Sequence, residues 1–412
     1  MSVPPKPGSP ARRRSPVLSG SALAALAFFV LTGEARVTAA SDATPAPTFE
    51  NLPGWEAEDH AAALAAFRAL CSRGDTAPKT RALGVDGRDL AALCDEARAL
   101  PETISSADAK AFFETRFDLQ RLTVGAGAGF LTGYFEPELD GSRERTPRFS
   151  VPLYRRPDDL VKVTAANRPD GLDPVLELAR KTPAGLVEHP DRAEIEAGAL
   201  AGRGLELVYL ADPLDAFFTH IQGSARIRLT DGSVMRVAYA GKSGHPYTAI
   251  GRFLIENGTI AREAMTMETL RAWLVENPDK AKDLINRNRS YIFFRKVDGL
   301  KPEAGPVGAA GVQLVAGRSL AVDRRLHTFG APIWLSGAIP ISAAGTTGPF
   351  ARLTIASDTG SAIVGAARGD LFVGSGSEAG RLAGAIRHPV DMVMLVPRPP
   401  SGKERGGEHA PR

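Results

Sequence analysis

The sequence predicts a mainly β protein with peripheral helices, and three observations carry that expectation. The 412 residues include 42 glycines and 31 prolines, a supply of turn formers that favours short strands over a helical bundle. From Gly125 onward, short apolar runs alternate with Gly and Pro. Segments 225–230 and 233–239 each alternate apolar and polar residues around Asp231-Gly232, the pattern of a two-residue β-hairpin.

Taken in chain order, the N-terminus reads as a targeting segment. Arg12, Arg13 and Arg14 supply charge, 23–31 a short apolar run and 37–40 small residues. That order is a secretory signal, and the run falls well short of the ~20 residues a spanning helix needs. The paired arginines admit a twin-arginine route, although the rest of that signal is poor; an uncut anchor is the other outcome. Residues 1–40 are expected to be a signal peptide and 41–56 a linker. Three helices are expected next, at 57–70, 88–100 and 106–117, with Leu64, Phe67 and Leu70, then Leu90, Leu93 and Ala97, then Phe112, Phe113 and Phe117 on their apolar faces. Cys71 and Cys94 are the two cysteines. An exported chain meets an oxidising compartment, so a disulfide is one reading and a pair of buried thiols the other. Neither stands where a lipid anchor would need it.

Helical patterns recur at 191–197, 213–221, 266–276 and 278–286, and 291–294 reads as a buried strand. Strands are expected at 353–356, 362–364, 371–373 and 392–396, with a short helix at 377–383. Residues 398–412 have the composition of a disordered tail. There is no internal repeat.

The charge is nearly balanced, 50 basic against 47 acidic residues, with no aromatic-interleaved basic run, so nucleic acid is not expected as a partner. Seven scattered histidines lack metal-ligand spacing, so no metal is expected. A serine nucleophile has no Gly-x-Ser-x-Gly elbow. The stretch 374–379 mimics a dinucleotide loop but lacks a ribose-binding acid at the right distance; backbone packing, or N–H groups facing a ligand, fits better. Asp323, Asp358 and Asp370 each begin or end an apolar strand pattern beside Gly or Arg. Such carboxylates either carry shifted acidity or cap turns. Asp358-Thr-Gly360 spells an aspartic-protease triplet, but a single copy would require a dimer.

These residues resemble a known family. Leu131-Thr-Gly-Tyr-Phe-Glu-Pro137, the stretches 201–213 and 217–224, Arg318 to Asp323, 356–365 and 368–380 are similar, in order, to the membrane-bound lytic murein transglycosylase A (MltA) family with its C-terminal three-aspartate domain. The resemblance implies a double-psi β-barrel built from 57–137 and 296–397, with a smaller β-barrel, 138–295, inserted. It implies cleavage of the β-1,4 bond between N-acetylmuramic acid and N-acetylglucosamine, without water, leaving 1,6-anhydromuramoyl ends. It places the catalytic acid/base on Asp370, with Asp358 and Asp323 orienting the site and binding sugar hydroxyls. Tyr134, Phe135, Glu136, Gln222, Ser224 and Lys242 are expected to line the glycan groove, Tyr134 and Phe135 being equally compatible with core packing. A single carboxyl suffices because the substrate's own O6 replaces the water that two-carboxylate hydrolases activate. No cofactor is expected. A binding protein that keeps the groove without catalysis is the second class considered. The best-known members are outer-membrane lipoproteins; lacking the anchoring cysteine, this chain is expected in the periplasm or cell envelope, acting as a monomer on glycan strands.

Overall fold

The computed structural model describes residues 46–71, 82–83, 85–123, 127–301 and 303–398. The expected signal peptide, the start of the expected linker and the tail beyond Arg398 lie outside the described residues. None of the described helices is long and apolar enough to cross a membrane.

The second half of the expected linker is part of the core. Short 3-10 turns at Phe49–Asn51 and Trp55–Ala57 bury Leu52 and Trp55, and the Trp55 ring meets Trp334 edge-on at 5.1 Å. Helices α1 (His60–Cys71), α2 (Gly87–Ala99) and α3 (Ser106–Arg116) follow. Asp86 caps α2 by accepting from Arg88 N–H, and Ser105 caps α3 by accepting from Asp108 N–H. The apolar faces read from the sequence are buried, and Phe67, Phe113 and Phe117 cluster with ring centroids 5.9–6.4 Å apart. Cys71 and Cys94 are joined by a disulfide. Glu58 pairs with buried Arg318 at 2.5 Å and accepts from Leu353 N–H, fastening this helical layer to the strands beneath.

Phe117 ends no helix; it opens β1 (Phe117–Leu122), followed by β2 (Gly129–Glu136). The chain then departs into β3 (Glu138–Ser142), β4 (Val151–Tyr154), β5 (Leu160–Lys162), β6 (Leu178–Thr182), β7 (Gly185–Val187), α4 (Arg192–Glu194), β8 (Glu206–Leu210), α5 (Pro213–Gln222), β9 (Ser224–Leu229), β10 (Val234–Lys242), α6 (Gly251–Glu256), α7 (Met267–Glu276), α8 (Pro278–Asn286) and β11 (Ile292–Val297). It returns as β12 (Ser319–Val322), β13 (Pro332–Pro340), β14 (Thr347–Asp358), β15 (Arg368–Ser375), α9 (Gly376–Ala385) and β16 (Arg387–Pro397). Strands order as β16-β13-β14-β12-β15-β2, and β2 pairs back onto β16, closing six strands into a barrel with β1 on its edge. The strand expected at 362–364 is a turn in which Ile363 alone is buried.

In the departing segment, strands order as β11-β10-β9-β3-β8-β4, and a bridge between Arg155 and Phe294 brings the two edge strands together. The β9–β10 hairpin turns at Asp231-Gly232 as expected, Gly232 N–H donating to Leu229 C=O. Helices α5 to α8 bury a separate apolar cluster that includes Phe217, Leu254, Leu274 and Leu284.

Glu136 sits where the two β regions meet. Its carboxylate, 0% exposed, accepts from Arg226 (2.8 Å), Arg236 (2.7 and 2.9 Å) and Ser375 (2.9 Å). Arg226 also donates to Ala304 C=O and Arg236 to Lys301 C=O. The expected groove-lining role of Glu136 is therefore corrected: no part of it is open to a sugar.

Two stability outcomes follow. Glu136→Ala leaves buried Arg236 without a carboxylate and Arg226 with Glu138 alone, and is expected to lower unfolding free energy by about 3 kcal/mol, read by urea denaturation. Replacing Cys71 and Cys94 by Ser releases a 23-residue closure and is expected to cost about 3 kcal/mol; alkylation of the native protein should add mass only after reduction.

Candidate active site

Strand pairing assembles the site. Asp370 on β15 is in register with Ala321 of β12 on one side and Thr132 of β2 on the other. Asp358, ending β14, faces Ala321 from the opposite side, so a single strand separates the two acids. Side chains two apart on a strand share a face, which puts Tyr134 beside Thr132 and Phe372 beside Asp370; the Tyr134 and Phe372 rings lie 5.4 Å apart. Helix α9 presses on β2 from outside, and a Cβ on Gly133 would come within 2.9 Å of Ala383 Cα, so only glycine fits this approach.

The two acids have different surroundings. Both oxygens of Asp358 are occupied: Oδ1 accepts from the N–H groups of Ala309 (2.8 Å) and Thr359 (2.9 Å), and Oδ2 from the Tyr134 hydroxyl (2.8 Å). Burial raises its pKa against these donors. Asp370 Oδ1 accepts from the Thr132 hydroxyl, which in turn accepts from Arg368 at 2.7 Å. Oδ2 has no hydrogen-bond partner among the described residues. Burial pushes Asp370 up to about 6; Thr132 and the Arg368 charge pull it down, and the Asp358 charge adds to the rise. Burial, then the Asp358 charge, drive the Tyr134 phenol well above its usual value.

Asp323 is the opposite case. It is 3% exposed and accepts from the Arg325 guanidinium (2.8 and 3.0 Å), Arg325 N–H and Gly365 N–H (3.0 Å each). The Arg325 hydrogen bonds hold its carboxyl well below the usual range. It pins the loop leading into β15 and has no free surface for sugar hydroxyls, which corrects that part of its expected role. Phe135 N–H donates to Gln222 Oε1 at 3.1 Å, and its ring packs against Gly380. Ser224 is buried at the start of β9, and Lys242 ends β10 with its ammonium 3.6 Å from Glu177. The structure thus gathers Tyr134, Asp358 and Asp370, ties Phe135 to Gln222, and pairs the buried carboxylates of Glu136 and Asp323 with arginines. Thr132, Arg368 and the Ala309 N–H were not singled out in the sequence; strand alternation from Tyr134 pointed to Thr132 alone. The 374–379 stretch is a packing device: Ser375 donates to Glu136 instead of capping α9.

Known proteins match this arrangement along its length. Residues 130–295 match the family described as "MltA specific insert domain", and 318–396 match "3D domain". Membrane-bound lytic murein transglycosylase A of Vibrio cholerae is 33% identical over 284 residues, covering 66% of this chain and 68% of that protein. A membrane-bound lytic murein transglycosylase from Agrobacterium tumefaciens superposes with a TM-score of 0.78 at 41% identity, covering 85% of this chain and 97% of that one. Escherichia coli MltA with bound chitohexaose superposes with a TM-score of 0.61 at 25% identity, over 83% of this chain and 91% of that one. Barrel, insert and three-aspartate segment together define a lytic murein transglycosylase, a lyase acting on peptidoglycan. The chain belongs to the membrane-bound lytic murein transglycosylase A family.

The shift on Asp370 has a sign that stability measurements can read. Its folded pKa, about 6, lies above the ~3.9 of an unfolded chain. Between these values the unfolded state has lost the proton that the native state keeps, so native stability falls as pH rises from about 4 to 6. Asp370→Asn removes the buried charge. It is expected to raise stability by roughly 1–2 kcal/mol at pH 7.5 and to leave it nearly unchanged at pH 4, measured by thermal denaturation.

Proposed function

We propose that this chain cleaves the β-1,4 bond between N-acetylmuramic acid and N-acetylglucosamine, with Asp370 as sole acid/base, forming 1,6-anhydromuramoyl ends during cell-wall turnover. The observation that carries the reading is the contrast between the two acids. Burial raises the Asp370 pKa to about 6, with one oxygen unpartnered among the described residues, while Asp358 has both oxygens occupied. A group that first gives a proton to the leaving oxygen must start protonated, which burial provides. At pH 7 about a tenth of the molecules carry that proton, enough for turnover and close enough to neutrality for the carboxylate to take a proton back. The first step lets the glycosidic oxygen leave C1 with Asp370's proton. In the second, O6 attacks C1 and gives its proton to Asp370, restoring the acid. Occupied on both oxygens, Asp358 is poorly placed to activate a water, which favours attack by O6 over hydrolysis. Held by Tyr134 one strand away from Asp370, it supplies negative charge beside the acid.

In this reading the barrel is of the double-psi type, and the glycan strand lies between it and the inserted β domain, alongside Tyr134, Phe135 and Gln222. Lys242 and Ser224 line the insert's side. The enzyme works as an exported monomer in the periplasm or cell envelope, residues 1–40 serving as its signal.

Purified peptidoglycan incubated with the protein is expected to yield 1,6-anhydromuropeptides by mass spectrometry. Reducing ends instead would point to hydrolysis, and no cleavage with retained glycan binding to a binding protein. Asp370→Asn is expected to lower turnover by more than about 1,000-fold while leaving glycan binding intact.

A further inference from the structure

Thr132 has a hydroxyl with one proton and two close neighbours. One is Arg368 Nη2, 2.7 Å away; the other is Asp370 Oδ1. A guanidinium donates and has no lone pair to offer, so Thr132 Oγ1 is the acceptor on that side. Its single proton is left to point at Asp370 Oδ1. An oxygen already receiving a hydrogen bond from a neighbour of fixed polarity is a poor seat for a proton of its own. We propose that Thr132, oriented by Arg368, is a positioning residue that confines the transferable proton of Asp370 to Oδ2, the oxygen with no partner among the described residues.

This rests on Asp370 being the acid/base. In the forward step the proton leaves Oδ2 for the glycosidic oxygen as the C1–O bond breaks, and the bonding pair goes to that oxygen. In the return step O6 forms its bond to C1 and its proton arrives at Oδ2. Thr132 donates to Oδ1 throughout, so no other proton moves and the carboxyl need not rotate between steps. The charged and titratable groups around Asp370 are Arg368 on its own strand, Tyr134 on β2 and Asp358 on β14; β12 presents Ala321. Arg387, on β16 opposite Thr132, is engaged elsewhere with the carbonyls of Arg262 and Met265.

The test is the kcat–pH profile of Thr132→Val and Thr132→Ser against the unaltered enzyme, with anhydromuropeptide release from peptidoglycan as readout. Valine keeps the shape and removes the donor. Without that hydrogen bond the ionised carboxylate is less favoured, so the descending limb is expected to move up by as much as about one pH unit. A larger protonated fraction would by itself speed the first step. The proposal requires the reverse: kcat falls about 10–100-fold with KM within about twofold, because the proton is no longer held on the reacting oxygen. Thr132→Ser restores the donor and is expected to recover most of the rate. A Thr132→Val enzyme with unchanged or faster turnover would sink the proposal, as would a loss that serine does not rescue and that leaves the limb where it was. Asp370→Asn run in parallel separates the two readings. If that variant keeps near-normal turnover, the acid/base assignment falls; if it is inactive while Thr132→Val is normal, only the positioning role does.

Discussion

Where the inserted β region leaves and rejoins the barrel, the chain is held by a single buried carboxylate, that of Glu136. β2 ends at Glu136 and β3 begins at Glu138, so the outgoing chain has one residue in which to change course. Arg226 and Arg236 grip Glu136 and also take the carbonyls of Ala304 and Lys301 on the returning chain. Both crossings are thus bound by one pair of guanidiniums, whose planar forks fix direction as well as distance. A buried ion pair of this kind adds little net stability over an apolar contact of the same size. Its contribution is geometric, since the charges can be satisfied in one relative placement of the two regions.

The same economy of strands gives the two acids different surroundings. Asp358 and Asp370 stand either side of β12, and the difference between them is a matter of donors. Three hydrogen bonds fill Asp358, one touches Asp370, and burial acts on both. Burial raises both acids, and the three donors on Asp358 oppose that rise more than the single side-chain donor on Asp370. Asp323 completes the contrast: an arginine two residues on and two backbone N–H groups keep it ionised, and it serves the loop ahead of β15.

Much of the fold was legible where local chemistry decides it. The β9–β10 hairpin follows from Asp231-Gly232, and α5 from Pro213 at its first turn with Asp212 as cap. Elements decided by tertiary burial were not. β13 is buried along most of its length, so no alternation marks it, and the apolar triplet at 362–364 imitated a strand inside a turn. The polar composition of 41–56 hid Leu52 and Trp55, and the Trp55 ring packs on Trp334, far away in the chain. At the site, residue chemistry left three aspartates of similar standing, Asp358 the most conspicuous through its Asp-Thr-Gly, and the family resemblance singled out Asp370. What distinguishes Asp370 physically is Thr132, 238 positions away, which no local window contains. Asp323 was more readable than it looked, since Arg325 lies two residues on.

That separation has a consequence for how the enzyme comes into being. The barrel closes only when β2 meets β15 and β16, and the whole insert lies between them in the chain. Contacts this distant in sequence form late and slowly. The N-terminal helices wait on the same strands, since Trp55 meets Trp334 and Glu58 meets Arg318 and Leu353. Until Arg368 and Asp370 arrive, Thr132 has no carboxylate to meet and Tyr134 no finished wall behind it. In the reading proposed above, the site that cuts and the closure that completes the barrel are therefore assembled by the same strands.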